Sequence, residues 1–237
     1  MPAASWQQVL YYRKDLFRQA GLAAPTTYAA IRAAAKKLHT PQLAGFVAAS
    51  KAGQPFTQQS FEHIAHGNGC ELVSARGVIT FDSPQCVGAL SFYGDMLRNY
   101  SLPGVQDIGT VRSAYFAGKA AMAVWPTFML DELAGLRNDA KPGCPKCEHD
   151  PGFLVRNTGV VAGIQGESGT RPAHFGEISS WTVTSDSDTD WAQQFVEYIL
   201  SAGYTDWLSV APEERIPVVP AQLPGRRNIW THGKACV

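Results

Sequence analysis

The clearest structural signal in the chain lies in the stretch Val111-Arg-Ser-Ala-Tyr-Phe-Ala-Gly-Lys-Ala-Ala-Met-Ala-Val-Trp125. Its first part, Val111–Phe116, predicts a helix that is broken at Gly118, and its second part, Ala120–Trp125, predicts a strand. A further helix is expected over Thr127–Arg137. The order helix, strand, helix with short connections is typical of α/β proteins.

The segments before this stretch alternate in the same way. Val9–Tyr12 predicts a strand, and Asp15–Ala20 predicts a short helix that stops at Gly21. The next predicted elements are a helix capped by Thr26 with Tyr28, Ile31, Ala35 and Leu38 on its buried face, a strand over Gly45–Ala49, a helix over Gln58–His66, and a hairpin formed by Glu71–Val73 and Val78–Phe81.

Ser83-Pro84 predicts the start of a long helix, because proline favours the first helical position after a serine N-cap. We expect its buried stripe to contain Val87, Leu90, Leu97 and Tyr100.

The last third of the chain begins with loop signals, which extend from Asn138 to Arg171. The elements expected after them are a strand over Ile178–Thr184, a helix over Asp188–Leu200 with Trp191, Phe195, Tyr198 and Ile199 on one face, a shorter helix over Thr205–Val210, and an extended segment over Arg215–Pro220. The alternation of helices and strands predicts an α/β architecture.

Composition excludes several classes of protein. The chain has 237 residues, of which 45% are hydrophobic and 17% charged, so it is not a disordered solvating chain. Its 20 basic and 20 acidic side chains cancel, which argues against nucleic acid as a partner. No apolar run approaches the length of a membrane span, and Met1–Trp6 does not have the pattern of a signal peptide.

Five cysteines occur, an odd number that leaves at least one unpaired within a monomer. Cys144 and Cys147 form a C-x-x-C in a loop rich in proline and glycine, where a disulfide is favoured over a redox pair or, with His149, part of a zinc site. Cys70 and Cys86 flank the predicted hairpin and are a second candidate pair, which leaves Cys236 free. Two disulfides favour an oxidising compartment.

The common catalytic motifs are absent. Gly118-Lys119 lacks the remainder of a phosphate loop, and Gly67-Asn-Gly69 lacks the third glycine of a dinucleotide site. Glu62, His63 and His66 do not have the spacing of a zinc protease helix, so we expect a solvated helix face. No cofactor, metal site or catalytic residue is therefore predicted.

Aromatic residues at the ends of predicted elements suggest a ligand site instead. They are Tyr12, Phe56, Trp125, Phe128 and Trp181. Sites in open α/β sheets lie at strand ends, and flat rings suit the apolar faces of sugars.

Four segments in the same order resemble the bacterial extracellular solute-binding proteins of ABC importers, in the sugar-binding family that includes maltose-binding protein. The four segments are Leu10–Phe17 with Pro25–Tyr28, Gly67–Gly69 with Val78–Pro84 and Ala89–Tyr93, Tyr115–Met122, and Trp191–Ser201 with Ile216-Pro217. Arg13 and Tyr28 replace the usual asparagine and tryptophan of the first segment.

The resemblance implies a periplasmic-binding-protein fold with one lobe nearly complete and the other only partly present. Residues 1–14 would be the end of lobe one and a hinge strand, 15–177 lobe two, 178–212 a return to lobe one, and 213–237 a second crossing and irregular tail. The implied ligand-binding residues are Tyr12, Phe56, Gln58, Gln59, Trp125, Phe128, Glu177 and Trp181.

The expected function is binding of a solute, most simply a carbohydrate, for ABC permease subunits in the membrane, without enzymatic activity. The expected location is periplasmic or extracellular, with the possibility of a membrane anchor. The resemblance also implies that the chain is a fragment, which alone would expose the face with Trp191, self-associate and bind solute weakly. The alternatives are a metal-dependent hydrolase that uses His63, His66 or the Cys144/Cys147 loop, and a non-transport protein-interaction module.

Overall fold

The structure is a computed structural model that describes residues 1–137, 140–212 and 215–218. Its helices are α1 (Lys14–Gln19), α2 (Tyr28–Leu38), α3 (Pro55–Gly67), α4 (Pro84–Tyr100), α5 (Ile108–Phe116), α6 (Met129–Leu133), α7 (Phe153–Arg156), α8 (Thr189–Ile199) and α9 (Tyr204–Ser209). Its strands are β1 (Pro2–Arg13), β2 (Met122–Pro126), β3 (Thr158–Val161), β4 (Gly176–Ser180) and β5 (Ile216–Pro217). The described residues combine helices with strands, which confirms the predicted α/β class, although runs of two to five helices separate most strands, so strict alternation is not observed.

The chain divides into two compact units. The larger unit is Gln7–Phe175, and the smaller unit combines Met1–Trp6 with the chain from Gly176 onward. The assignment of residues 1–14, 15–177, 178–212 and 213–237 to two lobes stays a prediction. The tail with Cys236 lies outside the described residues.

The sheet of the larger unit is built around β1. This strand pairs antiparallel with β2, with Val9 opposite Trp125, and antiparallel with β3, with Leu10 opposite Val161. The segment predicted as the strand Gly45–Ala49 lies beside β2, but it contributes only isolated parallel bridges at Ala44 and Val47.

Successive residues of β1 face opposite sides of the sheet, and each side carries its own core. Val9 and Tyr11 belong to a buried cluster that includes Tyr115 of α5 and Trp125. Leu10 belongs to a second cluster, formed with α2, α4 and Ile64 of α3. The sheet of the larger unit is therefore covered by helices on both faces, which explains why β1 is apolar at consecutive positions.

Helix α4 begins as predicted, since the Ser83 side chain accepts a hydrogen bond from the backbone N–H of Cys86. Its buried face was predicted wrongly at Val87 and Leu90, which are 51% and 48% exposed, whereas Leu97 and Tyr100 are partly buried against the core as predicted. The buried residues of this helix are Cys86, Ala89, Phe92, Tyr93 and Met96. The cause is tertiary, because Phe92, Tyr93 and Met96 pack into the core shared with α2 and α3, and Cys86 is joined to Cys70.

Other elements also differ from the predictions. The N-cap of α2 is Thr27 and not Thr26, since Thr27 Oγ1 accepts from the N–H of Ala30. Helix α6 is shorter than Thr127–Arg137, because Gly135 follows it with a φ of 74° and ends the helical geometry. The predicted loop from Asn138 to Arg171 contains α7 and β3, which is a four-residue strand stabilised by its pairing with β1.

The larger unit contains two disulfides. One joins Cys70 to Cys86 and the other joins Cys144 to Cys147. All four cysteines are buried, and the second pair is part of the core cluster that contains Trp125.

The smaller unit has a short sheet in which β4 and β5 both pair with β1. Its core is small: Ala4, Tyr204 and Leu208 are buried, and the Tyr204 hydroxyl donates to the carbonyl of Ala3 at 2.6 Å. Helix α8 starts at the Asp188 cap and has one buried residue, Val196.

The large side chains of α8 are solvent exposed. Trp191 is 71% exposed, Phe195 52% and Tyr198 58%. The predicted exposure of this apolar face is confirmed for these three residues, while self-association stays a prediction.

We predict unequal contributions of the two disulfides to stability. The first closes a sequence separation of 16 and the second a separation of 3. By loop-closure entropy, the Cys70→Ala/Cys86→Ala variant should lose about 3 kcal/mol of unfolding free energy and the Cys144→Ala/Cys147→Ala variant about 2 kcal/mol.

Urea denaturation of both variants under non-reducing conditions measures these losses, and mass mapping of the wild type checks the pairing. Wild-type protein with four free thiols at these positions would contradict the prediction.

Candidate functional site

The site centres on Trp125, which lies near the end of β2. Its indole N–H donates to the carbonyl oxygen of Ile108 at 2.9 Å, and the residue is 4% exposed. The Phe56 ring meets the indole edge-to-face, with ring centroids 6.2 Å apart. Trp125 is therefore held by a hydrogen bond on one side and by an aromatic contact on another.

Two helix starts place the other aromatic residues. Phe56 is the second residue of α3, directly after Pro55, which favours the first helical position. Phe128 is the N-cap residue of α6 and is half-buried against the same core cluster. Phe56 and Trp125 belong to one buried cluster, and Phe128 packs against it. The proposed binding role of these three residues stays a prediction.

Charged side chains border this aromatic cluster. The guanidinium carbon of Arg112 lies 5.8 Å from the centre of the Trp125 ring, and its Nη1 donates to Glu132 Oε1 at 2.5 Å. Asp131 is paired with a different cation, Arg137, at 3.5 Å. The two adjacent carboxylates therefore diverge towards different arginines, as their neighbouring positions on a helix predict.

Tyr11 contributes a neutral hydroxyl on the same face of the sheet. Its hydroxyl donates to the carbonyl oxygen of Pro126 at 2.8 Å. Burial first, and then the nearby Tyr115, Glu132 and Asp131, raise the pKa of Tyr11 well above its usual value. Tyr11 therefore stays protonated and acts as a hydrogen-bond donor.

The predicted ligand residues do not all lie together. Tyr12 follows Tyr11 in β1, so its side chain is on the opposite face from Trp125, where its ring packs against Phe17 with centroids 4.9 Å apart. Gln58 is exposed and donates to Glu62 Oε1 at 2.7 Å, while Gln59 is half-buried. Their binding roles stay predictions.

Glu177 and Trp181 belong to the smaller unit. Glu177 is exposed on β4. Trp181 is half-buried, its backbone N–H donates to the carbonyl of Met1 at 2.9 Å, and its ring contacts Phe195 and Trp207. The aromatic neighbours of Trp181 therefore belong to the smaller unit and are different from those of Trp125.

The expectation of a solvated face around His63 was wrong. Glu62 is 9% exposed and His63 is fully buried, because this side of α3 packs into the larger unit. Burial first, with the nearby His174 and His66, lowers the pKa of His63 to about 3, so the imidazole is neutral. Within residues 1–137, 140–212 and 215–218, no group of three or more histidine, cysteine, aspartate or glutamate side chains could hold a metal ion.

Arg112 is the main residue of the site that the sequence analysis missed. It precedes Trp125 by 13 positions and reaches the indole only because α5 packs against β2. No local pattern marks such a contact. The arrangement is a largely buried set of aromatic rings, bordered by two paired carboxylates and the neutral hydroxyl of Tyr11.

No helix in the described part of the chain is long and apolar enough to cross a membrane.

The chain has a mixed α/β fold that divides into two compact units. The model of the family described as bacterial extracellular solute-binding protein matches residues 1–206. The chain belongs to this family, as its sequence motifs predicted.

Known relatives and structures agree with this assignment. A putative ABC transporter periplasmic-binding protein of Escherichia coli K12, YcjN, is 30% identical over 223 residues, which are 92% of this chain and 47% of that protein. A solute-binding protein of Agrobacterium radiobacter K84 in complex with ribitol has a TM-score of 0.72 at 24% identity, over 92% of this chain and 52% of its own. The maltose-bound MalE3 of T. maritima has a TM-score of 0.67 at 20% identity, over 92% of this chain and 54% of its own.

These likenesses confirm the predicted periplasmic-binding-protein-like fold class. The chain spans about half the length of the relatives and structures that it matches.

We predict that Trp125 acts first as a structural anchor. Trp125→Phe removes the donor to Ile108 and should cost about 0.5–1.5 kcal/mol of unfolding free energy. Trp125→Ala also empties a large buried volume and should cost about 3–5 kcal/mol. Trp191→Ala is the matched control, since Trp191 is 71% exposed and should change stability by less than about 0.5 kcal/mol. Chemical denaturation measures all three; equal losses for both alanine variants would refute the anchor role.

We predict an acid-sensitive contribution from His63. Its pKa is about 3 in the folded protein and 6.5 as the ordinary value, so the unfolded chain binds the proton more readily between these limits. Stability from this residue is complete above pH 6.5 and falls by about 1.4 kcal/mol per pH unit below it.

His63→Leu should remove this slope and leave the slopes of other groups unchanged. Urea denaturation of both proteins at several pH values between about 4 and 7 gives the difference. Parallel pH dependence in the two proteins would contradict the assignment.

Proposed function

We propose that the protein is the solute-binding component of an ABC importer and binds an uncharged polyhydroxylated solute, a sugar or sugar alcohol, without altering it. The observation that carries the proposal is the match to the solute-binding family over residues 1–206. Related proteins support the solute class: one relative is a mannitol-binding protein of Pseudomonas aeruginosa, and structures of the same fold contain ribitol and maltose.

The chemistry of the aromatic cluster supports the same class. Sugars and sugar alcohols combine hydroxyl groups with apolar C–H surfaces, and aromatic rings pack against those surfaces. The acidic residues beside the cluster are already paired with Arg112 and Arg137. A cationic solute would therefore meet carboxylates whose charge is neutralised, which favours an uncharged one.

We assign different roles to the aromatic residues according to their exposure. Phe128 and Trp181 are half-buried and keep part of each ring accessible, so we propose them as the rings that touch solute, with Gln58, Gln59 and Glu177 as hydrogen-bonding partners. Trp125 and Phe56, at 4% and 6% exposure, support the cluster from beneath. In the family's mode of action the solute lies between two lobes, which close around it.

Transport places the protein outside the cytoplasmic membrane, in the periplasm or at the cell surface, with or without an anchor. Its partners are then the permease subunits of the importer. The alternatives of a metal-dependent hydrolase and a protein-interaction module are outcomes of the test below.

The test is calorimetric titration of the protein purified from the organism that makes it, with ribitol, D-mannitol and maltose as probes. We expect saturable binding of at least one, and Phe128→Ala should weaken it by about 1–3 kcal/mol, the scale for a contacting aromatic anchor. Trp191→Ala is the control and should bind as the wild type does.

Zinc-dependent hydrolysis of a substrate, or tight binding of a protein with none of these solutes bound, would overturn the proposal.

A further inference from the structure

Phe175 is the last residue of the larger unit, and its backbone is held on both of its polar groups. Its carbonyl oxygen accepts a hydrogen bond from the N–H of Gln8 at 3.0 Å. Its N–H donates to Nδ1 of His63 at 3.4 Å. One of these hydrogen bonds therefore links Phe175 to the first residues of the same unit, and the other links it to a side chain of α3.

The point where the chain enters the larger unit, between Trp6 and Gln7, is also fixed by hydrogen bonds within that unit. The carbonyl oxygen of Gln7, the first residue of the larger unit, accepts from the N–H of Thr127 at 2.9 Å. Gln8 is fully buried and is the residue that bonds to Phe175. Both ends of the larger unit are thus fixed by backbone hydrogen bonds, which involve Gln7 and Gln8 at one end and Phe175 at the other.

His63 is itself held rigidly, which makes it suitable as an anchor. It is fully buried, and the carbonyl oxygen of the next residue, Ile64, accepts a hydrogen bond from the Tyr28 hydroxyl at 2.7 Å. This bond fixes the backbone of α3 to α2 beside the imidazole.

The hydrogen bond to Phe175 also defines the tautomer of His63. Because Nδ1 accepts, the proton of the neutral ring is on Nε2. Nε2 is buried and has no hydrogen-bond partner in the described residues. A leucine would fill this space without that unsatisfied donor, but it could not accept from Phe175. Histidine at this position therefore contributes an acceptor at a cost in burial.

We propose that His63 is a positioning residue that fixes Phe175 and thereby defines where the rigid part of the larger unit ends. With Gln7 and Phe175 held, any rotation that accompanies solute binding falls on the backbone angles of the residues just outside them, Trp6 and Gly176. The residue after Phe175 is Gly176, which has no Cβ and accommodates a wide range of backbone angles. This consequence for binding rests on the proposed function.

The anchor is tested in the absence of solute, so a failure of the proposed function leaves the test intact. We expect nitrogen NMR of the wild type to show Nδ1 of His63 unprotonated and Nε2 protonated, with a scalar coupling across the N–H···N bond from Phe175. The opposite tautomer would overturn the proposal, and this measurement needs no variant.

Hydrogen exchange separates anchoring from general stability. In His63→Leu, exchange of the Phe175 amide should accelerate about two- to tenfold, as expected for one lost hydrogen bond, with the amides of α4 unchanged. His63→Asn retains an acceptor near the position of Nδ1 and should restore much of the protection.

The matched control is Ile64→Val, which loosens the packing of α3 but keeps the His63 acceptor. In this variant the Phe175 amide should exchange no faster, relative to the amides of α3, than it does in the wild type. Folded His63→Leu with unchanged exchange at Phe175 would refute the anchor. If His63→Leu does not fold, the proposal is tested by the tautomer of His63 and the scalar coupling to Phe175 in the wild type.

Discussion

The structure depends on the position of β1 at the centre of both sheets. In the larger unit it pairs with β2 and β3, and in the smaller unit it pairs with β4 and β5. Its consecutive residues Val9, Leu10 and Tyr11 are all buried, because helices cover both faces of the sheet there. The strand therefore organises two cores at once, and its register with β2 determines which side chains reach each core.

This register also determines the candidate site. Val9 lies opposite Trp125, so the indole faces the same core as Tyr11, near the carbonyl of Ile108 and the guanidinium of Arg112. A shift of one residue would turn Trp125 to the other face of the sheet. The same strand begins the larger unit at Gln7 and Gln8, where the chain is tied to Thr127 and Phe175. The aromatic cluster and the anchored crossings are thus consequences of one strand's placement.

Features set by local chemistry could be predicted from the sequence. Ser83-Pro84 and Asp188 are helix starts in the structure as well, and Gly118 with a φ of 71° breaks the chain between α5 and β2. The family followed from short motifs in a fixed order, which depend on sequence alone.

Features set by distant contacts could not be predicted. The exposed Val87 and the buried Cys86 lie on one helix, and which face is buried depends on distant partners, among them the core with α2 and α3 and the disulfide to Cys70. Strand β3 has only four residues and is stable through its partner β1. The sequence suggested a solvated helix face for His63, whereas the residue is buried and accepts a hydrogen bond from Phe175, 112 positions later. Arg112 likewise reaches the Trp125 ring through a distant contact, the packing of α5 against β2.

We propose that this α/β chain belongs to a protein that binds an uncharged polyhydroxylated solute. The most direct measurement is native mass spectrometry of the protein purified from its own cells and incubated with the small-molecule pool of those cells. We expect a non-covalent adduct with the mass of a sugar or sugar alcohol, released unchanged on unfolding. An adduct that is a metal ion or a charged metabolite, or a solute released in chemically altered form, would contradict it.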